Sequence, residues 1–321
     1  MRRTLLLTLT ATLASTASAV TFTIGYQKGG LPNLLKARGT LDAYAKQGID
    51  FRWSLFTAGP PLLEAANAGA VDFGSVGDAP GVFALAGGAA LQYVAVSDRK
   101  SLDSEAIIVP RTSTLKTVAD LRGKRVGVAR GSSAHAFLQN ALKTAKLGLG
   151  DITLVPLLPP DARAAFESGA IDAWAVWDPY LTTALQATGA RVLRDHRGLP
   201  RSNSYYLAPS AVLKDADKKR ALQIVLAELE ATAAWANTHQ DDVIRQFSDE
   251  LGIPQSVLNV TVRKEVPFNI RPFRSTDIRP LQGLADTFRD VGVLPRALKL
   301  NAASYVTLPN FSAALRALGV K

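Results

Sequence analysis

The chain contains no cysteine, one methionine and three histidines among its 321 residues. Without cysteine it can form no disulfide, no thiolate-ligated metal site and no lipid-modified amino-terminal cysteine, so the fold must be held by its core alone. The histidines are too few to suggest a metal-scavenging protein. The sequence also lacks a nucleophile elbow, a phosphate-binding P-loop and a cluster of metal ligands. We therefore expect no metal, no cofactor and no enzymatic activity.

A long hydrophobic run is missing as well. The apolar stretch near the amino terminus is only about ten residues long, too short to cross a bilayer. Arg2 and Arg3 precede this stretch, and Ala17-Ser18-Ala19 follows it as a cleavage site of small residues. The pattern predicts a signal peptide at residues 1–19, a mature chain that begins at Val20 and export to the periplasm.

Charge is sparse and mostly basic. Only 20% of the residues are charged and 47% are hydrophobic, while the formal net charge is +10. The basic residues are spread along the chain, and their densest clusters are not interleaved with aromatic residues, so we expect no nucleic-acid partner. A diffuse positive field can still speed the encounter with an anionic ligand. The length favours roughly two domains.

Short β-branched runs alternate with amphipathic helical stretches through the first two thirds of the chain. This alternation predicts an α/β fold with mostly parallel sheets. After about residue 210, helical patterns dominate. The predicted strands are Thr21–Tyr26, Phe51–Leu55, Val71–Ser75, Leu91–Val96, Ala106–Val109, Arg125–Ala129, Ile152–Leu157 and Ile171–Trp177, and the later helices are at 215–237, 239–251, 254–265 and 276–291.

The sequence also contains an internal correspondence. Residues 63–80 align with residues 163–180 through a Gly-Ala-x-Asp motif followed six positions later by a second aspartate. In both copies a strand, a glycine loop and a helix precede the motif in the same order, which predicts two lobes built on one plan. The motif aspartates, Asp72 and Asp172, come before the strands, and we expect them to be structural.

Ligands of open α/β sheets bind beyond the carboxyl ends of the strands, where loops lead into helix N-termini. Exposed backbone N–H groups and the helix dipole make such N-termini suitable for anions. The loops here predict an anion-binding cleft, and we expect Asp78 and Asp178 to act mainly as N-caps. The candidate binding residues are Gln27, Lys28, Gly59, Pro60, Gly77, Asp78, Ser132, Ser133, His135, Trp177 and Asp178.

Three of these side chains have more specific expectations. Lys28 is as compatible with a solvated position as with a ligand contact. His135, in the first turn of a helix, can face the cleft and address the anionic head or lie on the helix as a structural residue. Trp177 ends its strand at the cleft and is expected to cover an apolar tail, whereas Trp174 has the opposite strand parity and is expected in the core.

At these residues the chain resembles the aliphatic sulfonate-binding proteins of ABC importers, within the wider nitrate, sulfonate, taurine and thiamine-precursor binding family. The match covers nearly all of residues 22–213 and is weaker in the helical tail. It departs from the family at residues 30–33, where relatives tend to be more apolar. The motifs that carry it are Gly25-Tyr26-Gln27-Lys28-Gly29, Leu34-Leu35-Lys36-Ala37-Arg38-Gly39, Ala58-Gly59-Pro60, the segments 72–80 and 118–126, and Trp174-Ala175-Val176-Trp177-Asp178-Pro179.

The resemblance implies a type II periplasmic binding protein in which two lobes close over a cleft by a two-segment hinge. The hinge crossings are expected near Ala106–Val109 and Tyr205–Leu207. The first lobe would comprise residues 20–107 and 206–321, and the second lobe residues 108–205. The family's ligand contacts carry over to Gln27, Gly77-Asp78, the loop from Gly131 to His135, and Trp177-Asp178.

The implied function is the capture of a small organic anion, with an alkanesulfonate as the favoured ligand. The protein is expected to be a monomer that delivers this ligand to a membrane permease and ATPase complex. Taurine, nitrate or a thiamine precursor is an alternative ligand. A protein that binds the same ligand but docks on a sensory receptor would use the same site. A pyrimidine synthase-like enzyme of the same fold is a further alternative, disfavoured by the missing catalytic motifs and by secretion.

Overall fold

The computed structural model describes residues 19–99, 101–294 and 296–313. The predicted signal peptide therefore lies outside the described residues, except for Ala19. None of the helices in these ranges is both long and apolar enough to cross a membrane. The strands are β1 Val20–Gln27, β2 Ile49–Phe56, β3 Phe73–Val76, β4 Leu91–Ser97, β5 Glu105–Val109, β6 Arg125–Val128, β7 Thr153–Pro156, β8 Ala173–Trp177, β9 Arg191–Arg194, β10 Ser204–Pro209 and β11 Arg271–Pro272.

Helices connect these strands and dominate the last third of the chain. All eight strands and all four later helices expected from the sequence are present, while β9, β10 and β11 were not expected as strands. The helices are α1 Leu31–Arg38, α2 Gly59–Asn67, α3 Asp78–Ala86, α4 Ser133–Thr144, α5 Pro159–Glu167, α6 Tyr180–Thr188, α7 Ser210–Lys214, α8 Ala216–Thr238, α9 Gln240–Leu251, α10 Gln255–Glu265 and α11 Ile278–Asp290.

The strands form two sheets. The first has the order β11-β4-β10-β3-β1-β2 and the second the order β7-β6-β8-β5-β9. We call each sheet with its helices a lobe. The chain passes from the first lobe to the second through residues 98–104 and returns through residues 195–203. Both connections lie a few residues before the crossings expected from the sequence, because the apolar runs at those crossings are strands of one sheet each.

The expectation of mostly parallel sheets was wrong in one respect, since both sheets are mixed. β1, β2 and β3 pair in parallel, and so do β6, β7 and β8. However, β10 is antiparallel to both β3 and β4, and β5 is antiparallel to both β8 and β9. β5 and β10 receive the chain from the other lobe, so each starts at the edge where the neighbouring strands end. A strand that starts at that edge must run against its neighbours.

Each sheet is covered by apolar side chains on both faces. In the first lobe, α8, α9 and α10 pack on one face, and α2, α3 and α11 pack on the other. In the second lobe, α4 covers one face while α5 and α6 cover the other. Alternate residues of one strand therefore enter different clusters, as Trp174 and Trp177 do. The expected core position of Trp174 is confirmed, because this residue is 1% exposed.

The internal correspondence has a structural counterpart. The Asp72 carboxylate accepts a hydrogen bond from the backbone N–H of Thr23 at 2.9 Å, and the Asp172 carboxylate accepts one from Arg125 at 2.8 Å. In return, the backbone N–H of each aspartate donates to the carbonyl of the same strand residue at 2.8 Å. Each aspartate thus ties the start of the strand that follows it to an adjacent parallel strand, away from the carboxyl ends at the cavity, as expected for a structural residue.

Candidate ligand-binding site

A cavity that is partly open to solvent lies where the carboxyl ends of the parallel strands of both lobes face each other. The first connecting segment, the start of β10 at Ser204, and the helices α9 and α10 complete its wall. Its lining residues are Gln27, Lys28, Gly29, Gly30, Gly59, Ser75, Val76, Gly77, Pro80, Arg99, Ser133, Trp177, Asp178, Pro179, Ser204, Phe247, Leu258, Thr261, Val262, Glu265 and Phe268.

Five helices direct their N-termini at this cavity. The N-cap residues of α1, α3 and α6 line the cavity; these are Gly30, Gly77 and Pro179. In α2 and α4 it is the first helical residue that lines it, Gly59 and Ser133 respectively. The first backbone N–H groups of a helix have no partner within it, and the helix dipole adds partial positive charge there. The cavity is therefore suited to an anion before any charged side chain is counted.

Arg99 is the cationic side chain at the cavity that sequence reasoning missed. It lies in the first connecting segment, just after β4, and its side chain is 20% exposed. Its guanidinium meets the Glu265 carboxylate at 3.3 Å, while its Nε has no hydrogen-bond partner among the described residues. A partly buried guanidinium with an unused donor is a binding group for an oxyanion. Its position directly after the carboxyl end of a strand was the signal in the sequence.

Part of the cavity lining is apolar. Phe247 of α9, Leu258 and Val262 of α10 and the following Phe268 form this part, and all four are buried. Trp177 belongs to the second lobe, lines the same cavity and is 9% exposed. The cavity-lining residues of α10 recur at helical spacing, which was a readable signal. The cavity therefore offers an anion-binding end together with a surface for hydrocarbon.

Asp178 connects the lobes. Its Oδ1 accepts hydrogen bonds from the backbone N–H of Thr182 at 2.9 Å and from the Thr182 hydroxyl at 2.6 Å. Its Oδ2 accepts one from Lys264 Nζ of α10 at 3.0 Å, and the same ammonium donates to the Asp103 carbonyl at 3.0 Å. The carboxylate is thus occupied by protein donors. It holds the start of α6 and ties α10 to the second lobe.

A buried polar cluster lies behind the cavity. The Ser133 hydroxyl donates to Glu105 Oε1 at 2.7 Å, and His196 Nε2 lies 2.8 Å from Glu105 Oε2. Burial, followed by the charge of Glu105, raises the pKa of Asp78 to about 7. Burial opposes protonation of His196, but the hydrogen bond with Glu105, the charge of Glu105 and the hydrogen bond with the Pro200 carbonyl together outweigh it, and the pKa of His196 is raised. The cluster spans both lobes, because Asp78 begins α3 and Ser133 begins α4.

The predicted site residues divide into two groups. The residues that line the cavity are Gln27, Lys28, Gly59, Gly77, Ser133, Trp177 and Asp178. Pro60, Asp78, Ser132 and His135 are not among its lining residues. Pro60 borders a separate surface depression with Arg130 and Gly131. Asp78 accepts from its own helix at the backbone N–H of Ala79, and Ser132 caps α4 by accepting from the backbone N–H of His135.

His135 occupies the structural one of its two expected positions. The ring is completely buried between Phe83 and Phe288, with centroid distances of 6.2 Å and 5.2 Å. Its Nδ1 accepts a hydrogen bond from the backbone N–H of Gly131 at 3.1 Å. Burial, and to a smaller extent Arg130, lowers the pKa of His135 to about 4. These contacts describe a neutral imidazole that holds the glycine loop in place. They do not describe a cation that faces an anion in the cavity.

No group of three or more histidine, aspartate or glutamate side chains in the described ranges is arranged to hold a metal ion. Two lobes of α/β structure with a cavity at the facing strand ends are the architecture of two-lobed periplasmic binding proteins. Comparison with known proteins gives the family: the chain belongs to the NMT1-like family, whose model matches residues 18–247.

Individual relatives agree with that assignment. A protein of Escherichia coli K12 named as an aliphatic sulfonates-binding protein is 37% identical over 91% of this chain and 90% of its own length. The crystal structure of the E. coli periplasmic aliphatic sulphonate binding protein SsuA is 36% identical, has a TM-score of 0.78 and covers 91% of this chain and 94% of that one. The Xanthomonas axonopodis pv. citri alkanesulfonate-binding protein SsuA bound to MOPS is 33% identical, has a TM-score of 0.82 and covers 91% of this chain and 99% of that one.

Proposed function

We propose that the protein is the substrate-binding subunit of an ABC importer and captures a small aliphatic sulfonate between its lobes. The observation that carries this proposal is the convergence of five helix N-termini and Arg99 on one cavity with an apolar wall. A sulfonate presents three oxygens to N–H donors, and its hydrocarbon part gains about 25 cal/mol for each Å² removed from water. Relatives named for aliphatic sulfonates support this ligand class.

The partners follow from the same family. We propose that the mature protein is a periplasmic monomer that delivers its ligand to a membrane permease with its ATPase. Periplasmic binding proteins of the same fold support this location. The predicted signal peptide gives the export route, and intact-mass measurement of the exported protein checks whether it starts at Val20.

An enzymatic alternative has little support in the cavity. The carboxylates of Asp178 and Glu105 are held by protein donors, and the two buried histidines, His135 and His196, do not line the cavity. We propose that the cavity binds its ligand without transforming it. Incubation of the protein with the bound sulfonate, followed by mass spectrometry of the recovered ligand, tests this: an altered mass would contradict it.

Thermal unfolding in the presence of short alkanesulfonates tests the ligand class. At a ligand concentration of a hundred times the dissociation constant, binding stabilises the protein by about 2.7 kcal/mol, which gives a measurable rise in melting temperature. Nitrate and amino acids serve as controls and are expected to cause no rise. Arg99→Met should abolish the rise while leaving the ligand-free melting temperature close to that of the wild type. An absent shift with every sulfonate would contradict the proposed class.

A further inference from the structure

Glu265 is an acid in a cavity built for an anion. It is the last residue of α10, its side chain lines the cavity, and it is 23% exposed. Carboxylates are disfavoured at helix C-termini, where the dipole is negative, and the two preceding residues, Arg263 and Lys264, have the favoured sign. An acid in this place is unfavourable for the helix and, against a purely anionic ligand, for binding.

The other carboxylates near the cavity have little acceptor capacity left. Asp178 accepts hydrogen bonds from the Lys264 ammonium and from the backbone N–H and hydroxyl groups of Thr182. Glu105 accepts one from the Ser133 hydroxyl and also contacts His196. Glu265 differs from both. Within the described residues its only polar contact is the guanidinium of Arg99 at 3.3 Å, a long distance for a charge-assisted hydrogen bond. Most of its lone pairs therefore remain available to a molecule in the cavity.

Arg99 and Glu265 thus present opposite charges side by side on one wall. A sulfonate bound to the unused donor of Arg99 places its carbon chain near the Glu265 carboxylate. With a plain alkyl chain, the carboxylate stays without a donor and repels the sulfonate. With a short chain that ends in an ammonium group, the carboxylate gains a charge-assisted hydrogen bond.

We propose that Glu265 determines specificity by accepting a hydrogen bond from a cationic group on the ligand, so that the preferred ligands are short aminoalkanesulfonates. The proposal rests on the proposed function, because it assigns the second end of a ligand whose sulfonate is bound in the same cavity. Thr261, one turn earlier on the same face of α10, lines the cavity beside it.

Calorimetric titration with 3-aminopropane-1-sulfonate and propane-1-sulfonate tests the proposal, since the two probes differ only in the amino group. Wild-type protein should bind the amino compound more tightly. Glu265→Gln should weaken its binding by roughly tenfold to a hundredfold and should strengthen propane-1-sulfonate binding by about threefold or more. Glu265→Asp, which keeps the charge, should retain part of the preference.

Glu250→Gln is the matched control. Glu250 has a similar exposed fraction of 24% and is also ion-paired, with Lys36, but it does not line the cavity. This variant should keep the wild-type affinity ratio. If Glu265→Gln changes both affinities by the same factor, Glu265 only orients Arg99 and the specificity proposal is overturned while the sulfonate function stands. If wild-type protein binds neither probe, the proposed function itself is overturned.

Discussion

Asp78 and Asp178 hold equivalent positions in the internal correspondence, six residues after its two motif aspartates, yet their carboxylates have opposite surroundings. Asp178 meets the Lys264 ammonium at 3.0 Å. Burial of Asp78, followed by the charge of Glu105, raises its pKa to about 7. One sequence position thus carries a paired carboxylate in the second lobe and a carboxylate that retains its proton up to neutral pH in the first.

The charge difference predicts opposite effects of the same substitution. Because the pKa of Asp78 is higher in the folded protein than in the unfolded chain, its stabilising contribution is present at low pH and is lost as the pH rises through about 7. Asp78→Asn keeps the protonated shape, so it should raise the free energy of unfolding at pH 8 by up to about 4 kcal/mol, with no gain below about pH 4. Denaturant unfolding at several pH values measures this.

Asp178→Asn is the comparison for that experiment. It removes the charge that Lys264 pairs with and should lower the free energy of unfolding by about 1.5–3 kcal/mol at pH 8. Equal changes of the same sign in the two variants would show that the environments of these carboxylates are misassigned.

Trp177 lies where the apolar part of a ligand is expected. Trp177→Ala should weaken binding progressively as an n-alkanesulfonate lengthens, by up to about 0.8 kcal/mol for each buried CH₂ group. Calorimetric titration across a chain-length series measures the trend. Trp235→Ala is the control, because Trp235 stacks on His239 outside the cavity and should have no dependence on chain length. A penalty that is constant along the series would place the tail elsewhere.

At the scale of elements, α10 packs in the first lobe and also contacts the second lobe. Leu258 and Val262 belong to the apolar cluster of the first lobe. Lys264 and Ser256 contact the second lobe, the first through Asp178 and the second through Gln186 of α6 at 3.3 Å. The helix therefore joins the lobes while its inner face lines the cavity, so lobe closure and ligand contact depend on the same element.

Lys264→Met tests this role. The variant keeps the aliphatic stem but loses the ion pair between the lobes, so it should weaken binding of all sulfonates by about tenfold, independent of chain length and amino group. Arg263→Met is the control on the same helix, because Arg263 pairs with the 81% exposed Asp241 and such surface pairs contribute little. Titration of both variants with two sulfonates suffices. A Lys264 effect confined to one ligand would indicate direct ligand contact instead.

At the scale of the whole molecule, the two lobes meet closely at Gly77. A Cβ atom at this position would lie 2.6 Å from the Cβ of Ser133 in the other lobe, closer than carbon atoms can approach. The backbone of Gly77 is extended, with φ −69° and ψ −169°, so other residues can adopt it when the lobes are apart. Gly77 therefore permits the closed arrangement specifically.

Small-angle scattering should show that the wild-type protein becomes more compact when it binds a sulfonate, because enclosure needs groups from both lobes. Gly77→Val should remain folded, should not become compact, and should bind weakly. The predicted division into lobes is tested by the same experiment, since a scattering profile that is unchanged at saturating ligand would exclude closure by a hinge. Circular dichroism of the variant checks that its fold is retained.

Much of the fold was predictable because strand and helix periodicities are local properties. The eight strands, the four late helices and the two equivalent structural aspartates could be read from the residue pattern. Gln27, Gly77 and Trp177 could be placed at the cavity because strand ends and glycine loops are also local signals. The resemblance to sulfonate-binding proteins added the ligand class, which no local pattern gives.

The tertiary structure alone decided three things. The direction of β5 and β10 depends on the chain crossing between lobes, which periodicity does not record. The burial of His135 depends on Phe83 and Phe288, distant in sequence. The pairing of Arg99 with Glu265 joins residues 166 positions apart, and only the folded chain brings their charged groups to 3.3 Å at the cavity. Sequence determines the elements through short-range forces, whereas the charge and shape of a cleft arise from contacts that only the folded chain makes.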